Sequence, residues 1–136
     1  NTRNVQYAFK DNFLMFWFRY VYRHRSAIEI GNLDFVMKQF EDDYDNFSAI
    51  LLKKYFRQKY REEMPECIVS NYWEKGNQNE IDLLAADEVS HTIVFADCHR
   101  HKSAINHENL PIKARAITEK QSQWTFVFLA LSLDDM

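Results

Sequence analysis

The sequence predicts an α+β fold: a mixed sheet of about four strands with helices on both faces, preceded by N-terminal helices. Three observations predict it. Apolar residues recur at helical spacing up to Pro65. Beyond it, short apolar runs rich in β-branched and aromatic residues are separated by turn residues. One more helical run, Asn106 to Gln121, divides the third strand-like run from the fourth.

The 136 residues suit one domain, with 1–63 as a helical part and 64–136 as a sheet core carrying one helix. A hydrophobic fraction of 46% with 15% aromatics can furnish a real core, and two Gly and two Pro argue against disorder. A net charge of -3 excludes a global basic field but not a local basic patch. Cys67 and Cys98 stand too far apart for CxxC chemistry and read as small buried thiols in strands. No secretory signal pattern is evident, and the apolar run Phe13 to Tyr22 is too short to span a bilayer and is broken by Arg19. The cytoplasm is therefore the expected compartment, with no membrane partner. An opening of Asn1-Thr2-Arg3 without Met is expected of a fragment of something longer.

Asp11 is placed to cap a helix from Asn12 to about Arg23, in which Phe13, Phe16, Trp17, Tyr20 and Val21 follow helical spacing. Aromatics nearly all round it predict burial on more than one side, or docking on another domain. Arg23-His24-Arg25 reads as a solvated helix end. Ser26 to Gly31 forms a short turn of helix stopped by Gly31, and Asn32 caps a helix whose face is Leu33, Val36, Met37 and Phe40. The acidic run Glu41-Asp42-Asp43 with Asp45 suits the start of a separate helix. That helix turns Tyr44, Phe47, Leu51, Tyr55 and Phe56 inward and leaves Lys53, Lys54, Arg57, Lys59 and Arg61 on a solvated face. The sharper reading of those five cations is a nucleic-acid-facing stripe.

Pro65 ends the helical part. Glu66 to Trp73, Glu80 to Ala86, Thr92 to His99 and Thr125 to Leu133 read as strands, with turns at Lys75 to Asn79 and Asp87 to His91. Leu110, Ala114 and Ile117 line the apolar side of the intervening helix, with Pro111 tolerable in its first turn.

The chemistry concentrates between Glu80 and Lys102. Asp82 and Asp97 sit in apolar strands, where a carboxylate is costly unless paired or holding a metal. Period two puts Asp97, His99 and His101 on one face, with Asp82 on a neighbouring strand. The Asp82 and Asp97 side chains are expected to approach each other near the sheet surface. His99 and His101 with Asp97 also form a ligand set for Zn²⁺ or another transition metal, with His107 within reach from the next helix. The plainer reading is a pair of surface histidines at a strand end.

The order of elements, with an acid on the second strand and acid-x-base on the third, resembles the PD-(D/E)XK nuclease core. Tyr7 to Val21 (YAFKDNFLMFWFRYV) and Ile28-Glu29-Ile30-Gly31-Asn32 are similar to the "D-x-F-L-x-F-W-F-R-F-V" opening of a domain of unknown function. That domain follows a P-loop ATPase and a winged helix in archaeal and bacterial proteins. Trp73-Glu74-Lys75-Gly76 and Asn79 to Ala85 resemble its "W-x-K-G … E-I-D" segment. The resemblance covers most of the chain and implies a restriction-endonuclease-like core belonging to a longer ATPase. No GxxxxGK[ST] loop is present here, so ATP would be bound only by that parent domain.

The departures shape the functional expectation. Where the family reads Glu-Cys-Lys, this chain has Asp97-Cys98-His99, and the family's Phe-Glu pair is Phe47-Ser48. In an active site Asp82 and Asp97 would hold Mg²⁺, which prefers oxygen ligands, and His99 would accept a proton from water. Asp82, Asp97 and His99 are thus the catalytic candidates, with Lys113 or Lys102 able to lend the missing lysine's charge. The altered motif implies a catalytically degenerate domain that serves its own P-loop ATPase domain and binds nucleic acid or a protein partner, with nucleic acid as the ligand class and double-stranded DNA as one candidate. The alternatives are an active Mg²⁺-dependent DNA endonuclease and a pure protein-interaction module.

Overall fold

A computed structural model describes residues 10–74, 76, 79–106 and 108–136. Two compact units divide at Ser48 and Ala49, inside a long helix.

In the first unit, α1 (Asn12–Phe16) continues as a π-helix over Trp17–Tyr22. The Asp11 carboxylate accepts the Leu14 amide at 3.0 Å, so the expected cap is present. Helix α2 (Arg25–Glu29) stops at Gly31, whose φ of 75° suits a residue without a side chain. The Asn32 side chain then caps α3, Leu33–Glu63, through the Phe35 amide. The core here is aromatic. Tyr20 lies 5.0 Å from Phe40 and 5.4 Å from Phe47 between ring centroids, and Phe16 lies 5.3 Å from Tyr20. Of the first helical segment's aromatics only Tyr20 is buried; Phe13, Phe16, Phe18 and Tyr22 are exposed.

Two expectations about the helical part are corrected. The acidic run does not begin a separate helix: α3 is continuous for 31 residues through it. Asp42 lies 3.8 Å from Lys38 one turn earlier, and Asp43 is held by Arg19 and Tyr20. With those charges balanced, good helix formers on either side carry the helix through. The inward face also differs. Phe47, Leu52 and Phe56 are buried, whereas Tyr44 and Tyr55 are exposed, as are Leu33 and Met37.

The second unit is built on four strands: β1 (Ile68–Trp73), β2 (Glu80–Asp87), β3 (Thr92–Cys98) and β4 (Thr125–Leu131), adjacent in that order. The first three run antiparallel and β4 runs parallel to β3. A parallel neighbour needs a crossover, supplied by α4 (Asn109–Lys113) and α5 (Arg115–Thr118). The single helix expected there is broken at Ala114, and Pro111 falls in the first turn of α4.

Both sheet faces are covered. Leu52 and Phe56 of α3 pack on Leu83, Ala85, Ala96 and Cys98. Leu110 and Ala114 pack on Ile81, Ile93 and Phe95. Along β3 the alternation is regular, with Phe95 toward α4 and Ala96 and Cys98 toward α3. In β2 it is not. Ser70 pairs Leu84 but Tyr72 pairs Ile81, so β2 carries one extra residue there, a β-bulge. Ile81 therefore faces α4 while Leu83, two residues on, faces α3.

Candidate functional site

Asp82 sits in the bulge. Regular alternation from Leu84, which packs with the α4 layer, would put Asp82 on that face too. The bulge turns it to the α3 side instead. Its Oδ1 lies 3.0 Å from Lys53 Nζ, its Oδ2 accepts the Cys98 amide at 2.8 Å, and its main-chain carbonyl accepts Arg57 at 3.0 Å. The carboxylate is 5% exposed and both of its oxygens are engaged. Burial opposes the Lys53 charge, but Asp82 outweighs it and the ammonium pKa is raised. The Arg57 guanidinium is lowered by burial, partly offset by Asp82.

Asp97 follows the regular alternation of β3 between Ala96 and Cys98, and so faces α4. There Lys113 Nζ bonds its Oδ2, while its buried Oδ1 has no partner. The Lys113 charge anticipated from the sequence thus does reach Asp97. Each carboxylate meets a lysine from a different helix layer, Asp82 that of Lys53 in α3 and Asp97 that of Lys113 in α4.

His99 lies just past the end of β3, its main-chain amide donating to Leu131 at 3.0 Å. The chain bends at Arg100 and His101, so the strand does not carry His101 onward beside Asp97. Among the described residues no bond joins either imidazole to Asp97, and no group of three or more His, Cys, Asp or Glu side chains is clustered to hold a metal. His107, Lys75 and Tyr7 to Phe9, which entered the sequence reading, lie outside the described residues.

Mg²⁺ requires several oxygen donors around one point. Asp82 already accepts one donor on each oxygen, and Asp97 keeps one buried oxygen without a hydrogen-bond partner. Each acid is balanced by a lysine of its own. What they make chemically is a pair of internally neutralised, half-enclosed ion pairs flanking the end of β3. Lys53 and Arg57, which meet the Asp82 carboxylate and its main-chain carbonyl, read from the sequence as a solvated face, because the bulge that swings Asp82 toward α3 leaves no mark in apolar periodicity.

A second polar network lies in the first unit. Arg19 grips Asp43 through both Nε and Nη2, the latter at 2.8 Å, and the Tyr20 hydroxyl donates to the same carboxylate at 2.7 Å. Arg19 also lies over the Phe47 ring at 5.7 Å. The Arg19 hydrogen bonds hold the Asp43 pKa well below the usual carboxylate range. Burial, aided by Asp43, pushes the Tyr20 hydroxyl up to about 12.

Residues 17–110 match the DUF234 family, described as "Archaea bacterial proteins of unknown function". The chain belongs to the DUF234 family. The matched span contains Arg19, Tyr20 and Asp43 as well as Lys53, Asp82 and Asp97, so both polar networks fall within the DUF234 region except for Lys113. The chain is also similar to an uncharacterized protein of Methanocaldococcus jannaschii, MJECL04, at 28% identity over 103 residues. The match takes in 71% of this DUF234 chain and 23% of that protein, so the chain spans about a quarter of its relative's length. No solved structure matches. Among the described residues no helix is long and apolar enough to cross a membrane.

Proposed function

We propose that this DUF234 chain is a catalytically degenerate, PD-(D/E)XK-like domain that acts by binding, as part of a longer P-loop ATPase, with duplex DNA as its ligand class. Three antiparallel strands followed by a helical crossover to a parallel fourth support the nuclease-like reading of the core. The greater length of the MJECL04 protein supports a domain that works within a larger polypeptide.

One observation carries the loss of catalysis: Asp82 spends both oxygens on Lys53 and the Cys98 amide. A carboxylate balanced by an ammonium in this way needs no metal ion to offset its burial. Supercoiled plasmid incubated with Mg²⁺, with Mn²⁺ and without metal tests the proposal. The expected result is no metal-dependent nicking. Nicking that requires metal and disappears in Asp82→Ala overturns it. Duplex binding that weakens steeply with salt separates a DNA ligand from a purely protein partner.

The unpartnered Asp97 Oδ1, with Lys113 on the other oxygen, is the observation favouring an active Mg²⁺-dependent endonuclease as the second reading. In it Lys113 stands in for the lysine that His99 replaces, and the plasmid assay separates the two readings.

A further inference from the structure

We infer that the groove between the first helical segment and α3 is a binding site for a small amphiphilic oxyanion, a carboxylate or phosphate group carried on an apolar body. Met15, Arg19 and Arg23 recur every fourth residue along the first segment, and Gln39, Asp43 and Phe47 do so along α3. The Arg19–Asp43 bond ties the middle of one row to the middle of the other. The rows run antiparallel, with Arg23 and Gln39 around one cavity and Met15 and Phe47 around another. The first cavity, about 160 Å³, is also lined by Arg19, Tyr20, His24 and Asp43. The second, about 270 Å³, adds Phe18 and shares Arg19 and Arg23 with the first. All of these residues belong to the first unit.

The charges decide the sign of the occupant. Asp43 is the one acid lining the polar cavity, and both of its oxygens are taken, Oδ1 by Arg19 and Oδ2 by Arg19 and Tyr20. A cation would find no uncommitted carboxylate there. Donors are in excess instead. The Arg23 and Gln39 side chains make no hydrogen bond or ion pair among the described residues, and Arg19 keeps Nη1 outside its pair with Asp43. Two arginines against one aspartate leave a net positive charge. A guanidinium fork matches the paired oxygens of a carboxylate or phosphate. Neighbouring Arg25 is turned elsewhere: it donates to the Tyr22 carbonyl at 3.0 Å and lies over that ring at 4.4 Å.

The volumes decide its size. Pockets for drug-sized ligands run to about 300–1,000 Å³, so the polar cavity takes a single anionic group and not a nucleotide. The apolar cavity beyond the shared arginines suits an aromatic ring or a short aliphatic chain against Met15, Phe18 and Phe47. Arginine fits the shared wall, because its stem packs on apolar surface while its head meets the anion. Arg19 already lies over the Phe47 ring at 5.7 Å. It is carried by the π-helix Trp17–Tyr22, and such segments are rare and gather at functional sites. This inference is independent of any catalytic or DNA-binding role.

Isothermal titration calorimetry of the 136-residue chain with phenyl phosphate and with benzoate tests it, alongside Arg23→Gln and Arg25→Gln, each checked for its fold by far-ultraviolet circular dichroism. Both changes fall on exposed side chains, which the fold should tolerate. The two probes separate a phosphate source from a carboxylate source, and saturable binding of either one supports the site. Affinity for the bound probe is expected to fall about tenfold or more in Arg23→Gln, the loss of a charge-assisted contact, and to persist in Arg25→Gln. Methyl phosphate and acetate carry the same heads without the ring and should bind about tenfold more weakly than their aromatic counterparts. The inference is overturned if neither aromatic probe binds saturably, if Arg23→Gln leaves binding unchanged, if Arg25→Gln weakens it equally, or if the ring adds no affinity.

Discussion

The Asp82 carboxylate accepts the main-chain amide of Cys98 at 2.8 Å, just beyond the point where the β2–β3 register ends at Leu83 opposite Ala96. A side chain thereby satisfies a main-chain donor next to a bulge, and Lys53 balances its charge at 3.0 Å. Asp82→Ala strands a buried amide and a half-buried ammonium together. The expected cost is about 3–5 kcal/mol, the range for removing one member of a buried pair. Asp82→Asn keeps an acceptor for the amide and loses only the charge, so it costs roughly half as much. Urea unfolding of the two variants checks the order. Equal losses mean that the Cys98 bond contributes nothing.

Asp97 and Lys113 are expected to behave as a coupled pair. Lys113→Met leaves an almost buried carboxylate without its cation and should cost about 3 kcal/mol. Replacing both, as Asp97→Asn with Lys113→Met, should recover most of that loss, because no isolated charge remains. The measurement is a double-mutant cycle by denaturant unfolding. Additive losses show that the two groups do not interact.

Much of the architecture was legible in local chemistry. Asp11 and Asn32 were readable as caps and Gly31 as a stop, because each is satisfied within one turn of chain. The four strands were readable from β-branched and aromatic runs between turn residues, and Leu110 and Ala114 from helical spacing. The continuity of α3 was not, because the partner that balances Asp43, Arg19, lies 24 residues away in the sequence. The bulge at Asp82 was hidden too. Period-two alternation assigns a face to every residue of a strand, and one inserted residue reverses that assignment for everything before it. The altered motif was visible in the sequence, but the partners chosen by Asp82 and Asp97 belong to tertiary structure.

The two thiols should differ sharply in reactivity. Cys98 is buried against α3, and burial raises its pKa to about 12. Cys67 is only half-buried, with a thiol pushed up by burial to a lesser extent. Only the thiolate attacks a disulfide reagent. Titration of the native chain with an aromatic disulfide should therefore modify Cys67 slowly and leave Cys98 untouched, with both reacting after denaturation. Fast native modification of Cys98, identified by peptide mapping, would show that the α3 layer opens readily.

The Arg19–Tyr20–Asp43 network sets the pH range over which the first unit is stable. Asp43 has a folded pKa below its ordinary value of 3.8. Its contribution is complete above that value and is lost as pH falls through the lower, folded one. Tyr20 works in the opposite sense. Its folded pKa is raised from 10.0 to about 12. Its contribution is complete below pH 10 and is lost as pH rises toward 12, because the unfolded chain ionises first. Stability should thus fall on the acid side below the ordinary carboxylate range and on the alkaline side above pH 10. Asp43→Asn should flatten the acid limb and lower the neutral plateau, since Arg19 then lacks its counter-charge. Tyr20→Phe should flatten the alkaline limb, and its cost at neutral pH should be only about 1 kcal/mol, the net worth of one hydrogen bond. Urea unfolding across pH, followed by circular dichroism, reads both limbs. An acid limb unchanged in Asp43→Asn would assign acid sensitivity to other carboxylates and remove Asp43 from the account.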